Sequence, residues 1–192
     1  MARPIPRLAL STVLAASACL SVAAPAQAAA RPCVVGEWKL AGLASKTIGY
    51  VEFQSQSKGL KGTRLTVTKS SLSYDFTRSK KLVTTGVDSG KPIEEWSKYD
   101  KRLKVKAAFK GGGKGRLSLK TKTASGKATL TRSNAPGRRV GLAGLIRKKT
   151  WDPIVLKQAS YTCTAETLTF RLSKSWYSGE YQFHSTVRYT RL

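Results

Sequence analysis

The chain has 192 residues, with 35 Lys and Arg against 10 Asp and Glu, a formal net charge of +25, and a single His. A hydrophobic fraction of 41% is enough for a packed core, so wholesale disorder is excluded, and the length allows one domain or at most two small ones. One imidazole and ten carboxylates leave most acid–base enzyme designs short of parts.

The first element is a predicted secretory signal over residues 1–28. Arg3 and Arg7 give a positive start, Leu8–Ala24 is an apolar run, and Ala26-Gln27-Ala28 supplies the small residues that a signal peptidase reads. The run is short for a membrane span and diluted by Ser and Thr. Cleavage after Ala28 leaves one domain over residues 29–192 with a charge of +23 and no transmembrane segment, destined for the extracellular space. Cys19 leaves with the signal, so Cys33 and Cys163 remain. An even pair in an oxidising compartment reads as one disulfide, closing a loop of about 130 residues. The chain-entropy argument gives such a loop about 4–5 kcal/mol as an upper figure. Two Cys and one His far apart form no metal-ligand set, and no cofactor is expected.

Beyond the signal, period-two alternation recurs. Trp38 and Leu40 alternate with Glu37 and Lys39, and Val51-Glu52-Phe53 continues the pattern. Leu65 and Val67, then Leu72, Tyr74 and Phe76, alternate with polar residues. Leu103, Val105, Ala107 and Phe109 alternate with Arg102, Lys104 and Lys106, and Leu117 and Leu119 with Arg116, Ser118 and Lys120. Leu168, Phe170 and Leu172, then Tyr181, Phe183, Val187 and Tyr189, complete the series. These are half-buried strands separated by Gly, Ser and Asn clusters. Pro92–Asp100 could form a short helical turn, and Leu142–Lys149 is ambiguous. About eight to ten short strands predict an all-β fold, an antiparallel up-and-down barrel, with a β-sandwich as the alternative.

The two ends of the domain carry a resemblance. Gly36-Glu37-Trp38 contains the Gly-x-Trp of the first strand of lipocalins, and Arg191 falls on the inward face of the last strand with Phe183, Val187 and Tyr189. A first-strand Trp packed under a last-strand Arg closes the barrel in the calycin superfamily, which comprises lipocalins, fatty-acid-binding proteins and avidins. The chain resembles a secreted calycin-type barrel over about ten residues. The resemblance implies barrel closure by Trp38 and Arg191. The polar contacts by which an avidin holds biotin do not map onto this sequence, nor does the Arg-x-Tyr of fatty-acid-binding proteins.

The strongest functional cue is the stretch from Lys101 to Trp151, which holds sixteen Lys and Arg and no acid. Arg102–Phe109 and Arg116–Thr123 read as a hairpin around Lys110–Gly115. Alternation places Arg102, Lys104 and Lys106 on one face of the first strand, and Arg116, Lys120 and Lys122 on one face of the second, with Lys110 and Lys114 at the turn. Arg138, Arg139, Arg147, Lys148 and Lys149 could extend the patch. Such a face attracts polyanions: a phosphate-rich cell-wall polymer, nucleic acid or lipid headgroups. Aromatics are not interleaved on it, which weighs against base-specific readout.

Candidate catalysis is not found. The glycines at 111–115 lack the phosphate-loop spacing and read as a hairpin tip. Glu94 and Glu95 are neighbours whose side chains diverge on an extended chain. No triad or nucleophile elbow surrounds His184. Trp96, Trp151 and Trp176 read as core or rim residues. The expected function is a secreted, non-enzymatic, lipocalin-like binding protein with a basic outer face. The alternatives are a small apolar ligand inside the barrel, or an interaction or inhibitor protein without a cavity.

Overall fold

The computed structural model describes residues 33–49, 52–150, 152–176 and 179–192. The predicted signal, Val51 and Trp151 lie outside the described residues. Among the described residues, thirteen strands and one short helix follow in chain order. They are β1 (Gly36–Ile48), β2 (Gln54–Gly59), β3 (Arg64–Val67), β4 (Ser71–Asp75), β5 (Leu82–Asp88), β6 (Lys91–Asp100), β7 (Arg102–Gly111) and β8 (Lys114–Ser125). After them come β9 (Thr129–Arg132), β10 (Ala135–Gly141), α1 (Leu142–Arg147), β11 (Gln158–Cys163), β12 (Thr167–Trp176) and β13 (Tyr181–Arg191).

Eight of the strands close a ring. In the order β1, β3, β4, β7, β8, β11, β12, β13, each pairs antiparallel with the next, and β13 returns to β1. This is an up-and-down barrel, and its closure excludes the sandwich. The other five strands lie outside the ring. The N-terminal half of β1 pairs with β3 and its C-terminal half with β2. From β2 the same sheet continues outside the ring through β5, β6 and β9 to β10.

The ring and this extension share chain across a crease. The passages from β2 to β3, β4 to β5, β6 to β7 and β8 to β9 occur at neighbouring points on adjacent strands. Lys80 N–H donates to Lys61 O, Phe76 N–H to Lys101 O, and Ala128 N–H to Arg102 O. Each bend but one contains a residue of positive φ: Leu60 (59°) and Gly62 (94°), Lys101 (64°), and Gly126 (110°). At Gly62 a Cβ would strike the Arg78 carbonyl, so only glycine fits this turn.

Two expectations change here. Pro92–Asp100 is strand, not a helical turn: β6 pairs with β5 along one edge and with β9 along the other. Strand β1 ends at Ile48, and Glu52 takes a left-handed backbone (φ 65°) before β2 begins. The ambiguous segment Leu142–Lys149 starts with α1, which buries Leu142, Ala143 and Ile146.

The interior follows from alternation. Trp38, Leu65, Leu72, Leu103, Val105, Leu168, Val187 and Tyr189 are 0% exposed, and Tyr74, Leu117 and Phe170 are 1% exposed. A water-sized void against any of them would leave accessible area, so side chains fill the ring. Above them a segment without regular structure, Asp152 to Leu156, crosses the mouth. Asp152 Oδ2 accepts from the Tyr99 hydroxyl of β6 (3.0 Å), and Pro153 O accepts from the Ser185 hydroxyl of β13 (3.1 Å). Ile154, Val155 and Leu156 are 1–2% exposed. This segment seals one end of the ring from within.

Candidate polyanion-binding face

The opposite end of the ring is sealed by a cation. Trp38 and Arg191 are direct cross-strand partners on β1 and β13. The Arg191 guanidinium carbon lies 4.1 Å from the centre of the Trp38 ring, and the indole N–H donates to Val34 O (3.0 Å). Arg191 itself donates to three backbone carbonyls: Ala165, Val35 (3.2 Å) and Cys33 (2.7 Å). Planar, multiply donating guanidinium suits this arrangement, and lysine could not reproduce it. A Cβ at Gly36 would collide with the guanidinium, and its φ is +151°, so the glycine of Gly-x-Trp is required. The Cys33–Cys163 disulfide joins the same knot, since Arg191 grips the Cys33 carbonyl on one side and Ala165, just past Cys163, on the other.

The predicted basic hairpin forms on the wall of the ring. Its tip is fastened: Tyr161 of β11 donates its hydroxyl to Gly111 O (2.9 Å), and Cys163 N–H donates to Gly113 O (2.7 Å). Phe109 meets Tyr161 edge-on at 5.7 Å. Arg102, Lys104, Lys106, Lys110, Lys114, Arg116, Lys120 and Lys122 are all exposed. Register shows how they face one another. Lys106 is opposite Lys120, and four residues along the same face Lys110 is opposite Arg116. Like charges directly across an antiparallel pair repel.

Two of the predicted cations stand apart. Arg102 is held by Asp75 of β4, Nε to Oδ2 at 2.9 Å. Partial burial pushes the Asp75 carboxyl up, but hydrogen bonds from Thr77 and Arg102 outweigh it and hold the carboxyl below its usual range. Lys122 leaves the row that strict alternation assigns to it. Register shifts between Lys104 and Lys106, and β8 bulges through residues 121–124. Thr123 stabilises the bulge by donating to Lys120 O (2.7 Å) and accepting from Lys106 N–H (2.9 Å).

The structure also adds members that sequence reasoning missed. Ser160 of β11 is opposite Arg116, and Arg171 of β12 is opposite Ser160. One rung therefore reads Lys110, Arg116, Ser160, Arg171. The neighbouring rung reads Lys114, Thr162, Thr169, Arg188, the last from β13. No local signal marks Arg171 or Arg188, because pairing across about 50 residues or more of chain brings them alongside. Strands β7, β8, β11 and β12 together carry ten Lys and Arg and no Asp or Glu. Among the suggested extensions, Arg147 is spent on structure, donating to Ala124 O (2.6 Å), while Arg138 and Arg139 lie on β10, away from the ring.

Other chemistry is confined. Asp152 is a buried carboxylate that sequence reasoning missed, although Asp-Pro before three aperiodic apolar residues is a turn signal. Its Oδ1 accepts from Ile154 and Val155 N–H (3.0 and 2.8 Å). Burial raises its proton affinity above the ordinary value, against the pull of those hydrogen bonds and of Tyr99. His184 is exposed on β13, and Trp96 and Trp176 are half-buried. Among the described residues, no group of three or more His, Cys, Asp or Glu could hold a metal, and no helix is long and apolar enough to cross a membrane.

No protein-family model, curated protein or solved structure matches this chain.

Proposed function

We propose that this chain is a secreted, non-catalytic binding protein, a calycin-like barrel whose outer wall holds anionic polymers or surfaces. The ring order and the Trp38–Arg191 closure support the calycin likeness, and the disulfide is compatible with an oxidising compartment. One observation carries the binding reading: Lys106 faces Lys120 and Lys110 faces Arg116, on four consecutive strands without a carboxylate. An arrangement that costs stability in the free protein is relieved when a polyanion lies across it. The filled interior favours the outer wall over the barrel lumen as the place of binding.

The recognised feature is repeated negative charge along a chain or surface. Phosphate-rich cell-wall polymer, nucleic acid and anionic lipid headgroups share it. Retention on immobilised polyphosphate tests the reading. The triple variant K104E/K106E/K120E is expected to elute at markedly lower salt with its thermal midpoint kept. Elution at the wild-type salt concentration would refute the face as the site. Competition by duplex DNA, polyphosphate or anionic vesicles then ranks the sources.

A further inference from the structure

A second concentration of cations differs from the outer wall, because it surrounds a hollow. Pairing of β11 with β8 ends at Gln158 opposite Ser118, while β8 runs on to Ser125. Leu119 N–H donates to Lys157 O (2.8 Å), and the crossing segment then leaves the β8 edge. The gap is a pocket of about 400 Å³. The half-buried Leu119 and Leu172 give it an apolar side, backed by the buried Val155 and Leu156, and Lys149, Lys157 and Lys174 stand around it.

These lysines come from three places: the turn after α1, the residue before β11, and β12. The one ion pair among the described residues is Arg102–Asp75, so none of the three has a carboxylate partner. Lys174 does lie 5.1 Å from the Trp176 ring. Burial, then the nearby charges of Lys174 and Lys149, lower the proton affinity of Lys157. Asp152 also borders the pocket, but both its oxygens are engaged inward, by Ile154 and Val155 N–H and by the Tyr99 hydroxyl. It fixes the segment that backs the pocket with Val155 and Leu156.

We propose that this pocket binds a small amphipathic anion, with its charged head among Lys149, Lys157 and Lys174 and a short apolar chain against Leu119 and Leu172. A concave site with an apolar lining and a few convergent charges is the usual form of a small-ligand site. A polymer of repeated charge has no use for the apolar side, so this site is separate from the outer wall.

Titration calorimetry of the intact protein with octyl phosphate is the test, with octanol and inorganic phosphate as partial ligands. Octyl phosphate is expected to saturate at one equivalent, and each partial ligand to bind at least about tenfold more weakly. K174M, at an exposed position that leaves the fold intact, is expected to weaken octyl phosphate by about tenfold, and K157M likewise. K104E/K106E on the outer wall should stay within about twofold of wild type. Failure to saturate, or K174M binding as wild type, overturns the proposal. So does octanol or inorganic phosphate binding as tightly as the amphiphile, or an equal loss in K104E/K106E.

Discussion

Arg191 and Lys106 are cations on one barrel, with opposite fates. Arg191 lies on an indole and serves three carbonyls at the sealed end, so its charge is consumed by the fold. Lys106 faces another lysine on the wall, with no carboxylate on its own strand or on the next strand, β8. A high positive charge is therefore two populations. One is engaged by carbonyls and an indole and holds the structure; the other adds nothing to the fold and is available.

Changes at the sealed end should cost the most stability. W38A removes the largest fully buried side chain and the platform under Arg191, and is expected to cost about 3–5 kcal/mol in denaturant unfolding. R191K keeps the charge and loses the planar donors, with an expected cost of about 1–2 kcal/mol. A near-neutral R191K would erase the distinction drawn here. K106E/K120E should instead change stability by less than about 0.5 kcal/mol in the same assay.

The interior poses the same question, partnered or not, for other groups. Asp152 holds its proton to higher pH in the folded chain than in the unfolded one. Its contribution to stability is complete below the ordinary carboxylate value of 3.8 and declines as pH rises above it. Unfolding free energy followed across that window should show the decline in wild type and a flatter profile in D152N. The smallest effect is expected at Tyr189, whose buried hydroxyl has no hydrogen-bond partner among the described residues. Y189F should be neutral or stabilising by up to about 1 kcal/mol in thermal unfolding, since it removes an unsatisfied group.

Much of the ring is legible in the sequence because its strands bury one face. Leu103, Val105 and Ala107 alternate with Arg102, Lys104 and Lys106, and the burial follows residue by residue. The crease is not legible. Lys101 and Leu60 take left-handed backbone without being Gly, Asn or Asp, under tertiary constraint. Pro92 and the Glu94-Glu95 pair suggest a helix start, yet pairing with β5 over Lys91–Ser97 overrides local preference. The segment from Asp152 to Leu156 has no period at all, so its role as a seal emerges only from its contacts. Of the basic face, the hairpin was readable and the rungs through Ser160 to Arg171 were not, because register across β11 is a long-range property.

The salt dependence of polyphosphate binding tests the central claim most directly. Each cation that neutralises a phosphate releases counterions, so the slope of log affinity against log salt counts the engaged charges. K106E/K120E is expected to bind more weakly and to lower that slope by about two charges relative to wild type. An unchanged slope and affinity would show that these facing lysines engage no polyanion.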